Sequence, residues 1–311
     1  MHLLVPYAAP PATVDLTALR GLQLPNLQRL LAELQPGPRT GTPPGALNLP
    51  HEWVLAACRG VQPEDGRVPQ AAWDAAADGL PPAPPEQGWG LLTPTHWQVG
   101  SEQIVLLDPQ QLHLDEDESR ALWHSLRPMF ESEGWALHWG APLRWYATHA
   151  ALATLATASL DRVIGRGIES WMPDRHAGRT LRRLQSEAQM LLHAHPVNAA
   201  REARGELAVN SFWLSGTGRT LPSTAADGEA PLVDSRLQSP WRTGDGAAWC
   251  EAWRALDAER LQGLVQHGAL RSLTLCGEHQ AQRFDSVPGR AWQRWLRRWR
   301  AADPMILLEA L

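Results

Sequence analysis

The 311-residue chain contains no lysine, so all 28 of its basic residues are arginines. This absence excludes a Schiff-base lysine and a Walker P-loop, because both depend on a lysine amine. Arginine is well suited to bidentate capture of carboxylate or phosphate, although a GC-rich genome would produce the same composition. The lack of lysine therefore excludes two kinds of site and leaves the ligand open.

Cysteines and long apolar runs are also scarce. Cys58, Cys250 and Cys276 are odd in number and lack CxxC spacing, which fits reduced, buried thiols better than a disulfide framework or a zinc site. No run approaches the roughly 18 apolar residues of a membrane helix, and the amino end lacks the basic region of a signal peptide. A formal charge of -5 gives no general attraction to nucleic acid. These features predict a cytoplasmic protein with no membrane partner.

Apolar spacing predicts alternating helices and strands, and hence an α/β protein. Residues 2–7, 209–214 and 272–276 have the composition of short buried strands. Residues 25–34 and 180–193 carry leucines on one face of an amphipathic helix. The first of these helices begins with Pro-Asn, which is typical of a helix start.

A Pro-rich run, LPPAPPE at residues 80–86, marks the clearest boundary in the chain. Such a run is stiff and extended and does not join a sheet, so a new module is expected to begin near Gln87. Within this module, Asp115 and Glu118 form a predicted capping box at the start of a helix. The module as a whole has a mixed α and β pattern.

The strand at residues 209–214 leads into a predicted glycine turn at Gly216 and Gly218. A strand that ends in a glycine loop places backbone N–H groups at the carboxyl edge of a sheet, where open α/β folds bind ligands. Residues 219–246 are rich in Pro, Ser, Ala and Gly and are predicted to form a long surface loop. The next helical pattern, residues 247–267, has an expected break near Leu256.

The carboxy-terminal segment combines tryptophan and arginine. Trp292, Trp295 and Trp299 recur at helical spacing in a predicted helix, residues 290–302, with arginines on the other faces. Aromatic residues interleaved with arginines can bind single-stranded nucleic acid, but we favour tryptophans packed inward and arginines in solvent. A last strand is predicted at residues 305–308.

Several motifs, taken in chain order, carry a resemblance to a known family. They are LPNLQRL (24–30), LD (107–108), DEDESRAL (115–122), RWY (144–146), GRGIESWMP (165–173), HPVN (195–198) with Arg201, VNSFWLSGTG (209–218) and LTLCGEH (273–279). In this order they resemble the archaeal-type cofactor-independent phosphoglycerate mutases of the alkaline phosphatase superfamily. The chain is also similar to a group of bacterial proteins labelled both as phosphoglycerate mutase-like and as a regulatory protein of pathogenicity factors.

The resemblance implies a three-layer α/β core of the alkaline-phosphatase type. Residues 1–85 and 206–311 would form this core, and residues 86–205 would form an inserted α+β domain that closes over the substrate. The Pro-rich run near residue 85 agrees with the first of these limits.

The family's reaction uses two divalent metals, usually Mn or Zn, to activate a serine nucleophile and to neutralise a phosphoryl group. Where the resemblance implies a metal-binding Asp-Gly pair after the first strand, residues 5–10 read VPYAAP. Where it implies Ser and Asp in a nucleophile loop, the chain has His51 and Glu52, and only Glu278 and His279 match later ligands. Four candidates without the nucleophile are too few for a two-metal mechanism.

We therefore expect the mutase reaction to be lost and no cofactor to be required. A single Mn or Zn ion held by His51, Glu52, Glu278 and His279 is the alternative to polar residues satisfied locally at the ends of helices and strands.

At the substrate-binding positions that the resemblance implies, this chain matches the family better than at the metal-binding positions. They correspond to Arg144, Asp161, Arg166 and Arg201, together with Asn210 in the glycine-strand motif. Planar guanidinium groups of this kind can hold a phosphate or a carboxylate without performing chemistry. Ordinary salt bridges are the alternative for the arginines.

The expected function is that of a degenerate phosphoglycerate mutase-like protein, a non-catalytic binding or regulatory protein for a small phosphorylated anion. One alternative is a metal-dependent phosphatase or mutase with an altered metal site, so whether the protein is an enzyme stays open. A second alternative is a protein of nucleic-acid metabolism that uses the Trp/Arg helix. The sequence does not identify a protein partner.

Overall fold

The computed structural model describes residues 1–11, 14, 19, 21–219, 230–268, 270–286 and 303–311. The chain divides into two compact units. Unit 1 comprises Met1–Pro44, Leu49–Val61 and Thr224–Leu311, and unit 2 comprises Gly45–Asn48 and Gln62–Ser223. The boundaries between these two units differ from the domain limits that the sequence predicts, at residues 85 and 206. Those two limits stay predictions.

Helices and strands alternate along the chain. The strands are β1 (His2–Val5), β2 (Gln35–Gly41), β3 (Gly88–Thr95), β4 (Trp97–Val99), β5 (Ile104–Leu106), β6 (Ala136–Ala141), β7 (Arg144–His149), β8 (Ser211–Gly218), β9 (Leu232–Val233), β10 (Ser272–Cys276) and β11 (Gln280–Asp285). The α-helices are α1 (Pro25–Glu33), α2 (Pro50–Cys58), α3 (Gln70–Ala77), α4 (Glu116–Ser132), α5 (Leu160–Val163), α6 (Arg179–His193), α7 (Pro196–Ala203), α8 (Gln238–Thr243), α9 (Gly246–Ala255), α10 (Gln262–His267) and α11 (Pro304–Glu309). Short 3₁₀ helices occupy Pro109–Leu112, Ala150–Ala153 and Ile168–Trp171. The predicted α/β class is confirmed.

Unit 1 is built on a mixed five-stranded sheet in the order β2–β11–β10–β1–β9. β1 is parallel to both of its neighbours, while β10, β11 and β2 run antiparallel to one another in turn. Leu3 and Val5 of β1 are fully buried against a core that includes Leu27 of α1 and Trp249 and Trp253 of α9. The leucine spacing that predicted α1 therefore marks its buried face.

The start of α1 is held by a carboxylate from a distant part of unit 1. A π-helical turn, Leu256–Leu261, joins α9 to α10 at the break expected from the sequence. The buried carboxylate of Asp257 in this turn accepts hydrogen bonds from the backbone N–H of Leu27 at 2.7 Å and of Asn26 at 3.1 Å. The side-chain amide of Asn26 also donates to it at 3.0 Å. Because the first N–H groups of a helix lack partners within the helix, this carboxylate both satisfies them and complements the helix dipole.

Unit 2 contains an antiparallel sheet in the order β6–β7–β3–β8 and a separate hairpin, β4–β5. One buried core combines Leu122 and Leu126 of α4 and Leu184 of α6 with Trp145 of β7 and Phe212 of β8. The N-cap bond of the predicted capping box at the start of α4 is present, since the side chain of Asp115 accepts a hydrogen bond from the backbone N–H of Glu118. The carboxylate of Glu118 instead pairs with Arg201 and Arg204. Unit 2 is thus an α+β arrangement with helices on its sheet.

The glycine motif of β8 forms no turn, contrary to the prediction. The strand continues through Gly216 and Gly218, which have φ values of 62° and 152°, and the β3–β8 register shifts beside them. A Cβ on Gly216 would lie 3.0 Å from the backbone nitrogen of Ala71 in α3. These glycines therefore permit a bulge and the close approach of a helix, as is common within strands.

Two further predictions near the carboxyl end are wrong. The expected loop at residues 219–246 contains β9 and α8, which are too short to show apolar periodicity. The expected strand at residues 305–308 belongs to α11, whose start is fixed by Pro304 and by a hydrogen bond from the N–H of Met305 to Asp303. The predicted Trp/Arg helix at residues 290–302 lies outside the described residues.

Replacing Asp257 with Ala should destabilise unit 1 by roughly 2–4 kcal/mol, because three donors lose a charged acceptor in a buried position. Urea unfolding followed by circular dichroism measures this loss. Glu251→Ala is a suitable control, since Glu251 pairs only across an exposed helix surface with Arg254, and it should change stability by less than about 0.5 kcal/mol. Equal stability of Asp257→Ala and the parent chain would contradict the assigned role.

Candidate functional site

The parallel strands of unit 1 end at one edge of the sheet, where open α/β folds place their ligands. β9, β1 and β10 run in the same direction. The segments that follow them begin at Asp234, Pro6 and Gly277. This carboxyl edge is the candidate functional site.

The loop after β1 is buried and fixed by tryptophans. Tyr7 has a left-handed backbone with a φ of 58°, and the N–H of Ala8 donates to the carbonyl of Cys276 at 2.7 Å. The indole N–H of Trp249 donates to the carbonyl of Tyr7 at 3.1 Å, and that of Trp253 donates to the carbonyl of Ala8 at 3.3 Å. The position where the resemblance implies a metal ligand is therefore apolar, and its backbone polar groups are held by the protein itself.

An aromatic group lies beside this loop. The ring of Tyr7 lies 5.1 Å from that of His51 and 5.1 Å from that of Trp241, measured between centroids. The side-chain amide of Gln238 lies 3.4 Å from the Tyr7 hydroxyl. Since His51 and Trp241 are half-buried, they give this part of the edge an aromatic surface.

The N-terminus of α2 is occupied by a carboxylate of the same helix. Glu52 accepts a hydrogen bond from the backbone N–H of Leu49 at 2.6 Å. Helix N-termini commonly bind phosphate because their N–H groups and dipole favour an anion. Here a phosphoryl group would meet the negative charge of Glu52, so this helix start does not favour one.

Asp234, at the end of β9, is a buried acid that sequence reasoning missed. Its carboxylate accepts from the guanidinium of Arg236 at 2.8 Å and lies 3.5 Å from that of Arg260. Arg236 also pairs with Glu259 at 3.0 Å. Asp234 falls in the segment predicted as a loop, which is why its place after a strand could not be seen from the sequence.

Glu278 and His279 lie on the tight turn between β10 and β11. The N–H of Gly277 donates to the carbonyl of Gln280 at 2.8 Å, which leaves only these two residues in the turn. The carbonyl of His279 accepts from the N–H of Thr42 at 2.8 Å, and its side chain is exposed. Both predicted ligands thus belong to a hairpin turn.

The residues at this edge do not fit the metals that the resemblance implies. Across the ranges that the structure describes, no three His, Cys, Asp or Glu side chains come together in a way that could hold a metal ion. The predicted ligand pairs, His51 with Glu52 and Glu278 with His279, are therefore not joined into one group. The carboxylate of Glu52 caps its own helix and that of Asp234 is paired with arginines.

Arg144, one of the predicted substrate-binding residues of unit 2, forms a bidentate pair with Asp78. Its Nε and Nη2 donate to the two carboxylate oxygens at 2.8 and 2.9 Å, and the hydroxyl of Tyr146 donates to Asp78 at 2.7 Å. Burial alone would raise the pKa of Asp78, but the hydrogen bonds from Tyr146 and Arg144 outweigh it and lower that pKa. The same pairing raises the pKa of Arg144.

Arg201 is fully buried and bonded within unit 2. Its guanidinium pairs with Glu118 of α4 and donates to the carbonyls of Leu112 and Leu207. These bonds join α7 to α4 and to the turn after α7. A ligand would have to displace them to reach Arg201.

The three remaining predicted residues, Asp161, Arg166 and Asn210, have different neighbours. Arg166 is half-buried, with its guanidinium carbon 5.9 Å from the ring centroid of Trp171. Asp161 lies in the first turn of α5. The side-chain amide of Asn210 accepts from the N–H of Trp97 at 2.7 Å and donates to its carbonyl at 3.0 Å. Arg166 is thus a predicted arginine whose side chain is partly exposed and lies beside an aromatic ring.

None of the helices in the described part of the chain is long and apolar enough to cross a membrane.

Arg144→Gln should flatten the acid dependence of stability. The pKa of Asp78 is lower in the folded chain than its ordinary value, so the pairing stabilises the fold above about pH 4 and is lost as the pH falls through the folded-state pKa. The variant should be less stable than the parent at neutral pH and should lose less stability on acidification. Urea unfolding midpoints measured at neutral and acidic pH test this prediction, with the exposed Arg175→Gln as the control. If the midpoint changes with pH equally in Arg144→Gln and in the parent, the prediction is contradicted.

Comparison with known proteins gives only distant structural similarity. No family model matches the chain, and no curated protein matches it. It is similar to the cofactor-independent phosphoglycerate mutase from Thermoplasma acidophilum, at 14% identity and a TM-score of 0.38, over 93% of this chain and 89% of that one. It is also similar to the PH0037 protein from Pyrococcus horikoshii, at 11% identity and a TM-score of 0.47, over 93% of this chain and 88% of that one. Because both TM-scores are below 0.5, we base the function on the residues described above.

Proposed function

We propose that the protein is a non-catalytic binding protein on an alkaline-phosphatase-like scaffold, related to phosphoglycerate mutases, and that it binds a small phosphorylated anion. The observation that carries the loss of catalysis is the loop after β1. Its residues Tyr7 and Ala8 are buried, and tryptophan side chains hold their carbonyls. A metal-dependent transfer needs an anionic ligand there, and this loop supplies none.

The start of α2 supports the same conclusion. Phosphoryl transfer needs a nucleophile that can approach the phosphorus atom while the developing charge is stabilised. Here His51 packs against Tyr7, and Glu52 places a carboxylate on the N–H of Leu49 at the helix start, where a phosphate would otherwise bind. The electrostatics therefore oppose the chemistry that the resemblance implies.

The ligand class depends on Arg166. Arg144 and Arg201 pair with Asp78 and Glu118. Arg166 is partly exposed beside Trp171, so a ligand in solvent can reach part of its side chain. A guanidinium is a strong partner for phosphate and for carboxylate. A molecule such as 3-phosphoglycerate carries both groups, and with one arginine to hold it we expect weak binding.

Activity and binding assays on the full chain test the two parts of this proposal separately. With excess Mn²⁺ or Zn²⁺, we expect no interconversion of phosphoglycerates and no hydrolysis of p-nitrophenyl phosphate above the buffer rate. We expect calorimetry to detect 3-phosphoglycerate binding that Arg166→Gln weakens at least about fivefold. Arg175→Gln, at an exposed position of the same unit, should leave binding unchanged.

The outcomes distinguish the proposals. Metal-dependent turnover that His279→Ala abolishes would contradict the non-catalytic role and favour an enzyme with an altered metal site. Equal binding by Arg166→Gln and the parent would refute the ligand assignment while leaving the loss of catalysis untouched. A role in nucleic-acid metabolism stays a prediction from residues 290–302, which lie outside the described part of the chain.

A further inference from the structure

Unit 2 contains a groove of about 770 Å³ that none of the preceding observations explains. One wall is the β4–β5 hairpin, which contributes Trp97, Val99 and Ile104. The other wall is formed by Gln189 and Met190 of α6 and Glu202 of α7. The groove thus lies between one edge of a strand and the side of a helix.

The hydrogen-bond pattern of the hairpin shows which edge of β4 faces away from β5. The N–H of Gly100 donates to Gln103 at 3.0 Å, and the N–H of Leu107 donates to His96 at 3.1 Å. In an antiparallel pair, hydrogen-bonded and non-hydrogen-bonded residue pairs alternate. The register of β4 with β5 therefore makes Trp97 and Val99 the residues whose backbone N–H and C=O point away from the hairpin.

At Trp97 this outer edge is already paired, in the manner of a further strand. The side chain of Asn210 accepts from the N–H of Trp97 at 2.7 Å and donates to its carbonyl at 3.0 Å. An amide side chain therefore occupies the place that a peptide group of an added strand would take. Val99 lies two residues further along the same edge, and no described side chain bonds to its backbone groups.

The exposed apolar side chains of the groove lie on both walls. Val99 is 79% exposed and Met190 is 69% exposed. Isolated apolar residues on a surface are common, and here two large ones border the same groove. Along α6, Met190 is accompanied by Ser186, Gln189 and His193 on the same helix face, which is the spacing expected of a helix side that borders a groove.

Glu202 gives one end of the groove a negative charge. It is exposed, and it has no ion-pair partner within 4.0 Å among the described residues. Its arginine neighbours on α7 and just after it, Arg201 and Arg204, are both paired with Glu118. A basic side chain entering the groove would therefore complement Glu202.

We propose that this groove binds an extended peptide segment of a partner protein, which adds a strand to the open edge of β4 at Val99. Main-chain hydrogen bonds to Val99 continue the pairing that Asn210 makes with Trp97. Apolar side chains at alternate positions of the peptide pack on Val99, Ile104 and Met190, and a basic side chain lies next to Glu202. Recognition of this type combines main-chain pairing for affinity with side-chain pockets for specificity.

Val99→Pro is the most direct variant. It removes the outward N–H, and because that N–H takes no part in the β4–β5 ladder, the hairpin should remain folded; proline is tolerated on edge strands for this reason. Val99→Thr is the matched control, since it keeps the N–H and the branched shape. Glu202→Gln removes the charge, and Met190→Ser removes the apolar side chain on the opposite wall.

A phage-displayed library of random decapeptides, selected on the full-length parent chain, supplies the probes. We expect the selected peptides to combine alternating apolar residues with a basic residue. Fluorescence anisotropy should show binding at least tenfold weaker for Val99→Pro and severalfold weaker for Glu202→Gln and Met190→Ser, with Val99→Thr close to the parent. Hydrogen exchange at the Val99 amide should slow when a selected peptide is bound.

Selection that yields no peptide, or peptides whose binding Val99→Pro leaves unchanged, would overturn the proposal. Sedimentation of the parent chain provides the remaining test. If the parent self-associates and Val99→Pro abolishes that association, the groove receives a second copy of this chain, and the assignment to a partner peptide is wrong. Circular dichroism and unchanged thermal unfolding of Val99→Pro establish that the variant is folded.

Discussion

The hydrogen bonds from the indole N–H groups of Trp249 and Trp253 to the loop after β1 determine the character of the candidate site. A buried carbonyl without a partner costs free energy, and here each of the two carbonyls has one. The tryptophans belong to the same hydrophobic core as β1. The packing of this core therefore also holds the loop in place. The segment that would hold a metal in the resembled family is instead part of the hydrophobic interior.

Charged groups in both units are similarly used to hold the fold together. Asp257 caps α1, Asp234 is paired with Arg236 and Arg260, and Arg201 is paired with Glu118. Buried ions of this kind are stable only when their hydrogen bonds are satisfied. Arginine suits the task because its planar fork bonds to a carboxylate and to backbone carbonyls at once. A charged residue at a position that the resemblance singles out can therefore have a structural role.

The elements with regular apolar spacing could be predicted from the sequence, and the contacts between distant residues could not. The leucines of α1 and the apolar run of β10 determine their own structures locally, and Leu256 marks the π-helical turn. By contrast, Asp257 and Leu27 are 230 residues apart. Nothing in their local sequence indicates that they bond.

In the candidate site, too, local structure could be predicted from the sequence and contacts between distant residues could not. His51 and Glu52 could be placed at a helix start, but their contacts with Tyr7 and with Leu49 depend on the folded edge. The position of Val99 on an open edge could not be predicted from the sequence, because an exposed strand edge has no signature in amino-acid composition. Its significance comes from the register of β4 with β5.

Metal content of the full chain tests the central claim most directly. After dialysis against Mn²⁺ or Zn²⁺ and removal of loosely bound ions, elemental analysis should find well under one metal ion per chain, with His279→Ala indistinguishable from the parent. Two tightly bound ions per chain, lost in His279→Ala, would contradict the account, because the carboxyl edge of unit 1 would then hold the metal pair that its loop and helix start are inferred to have lost.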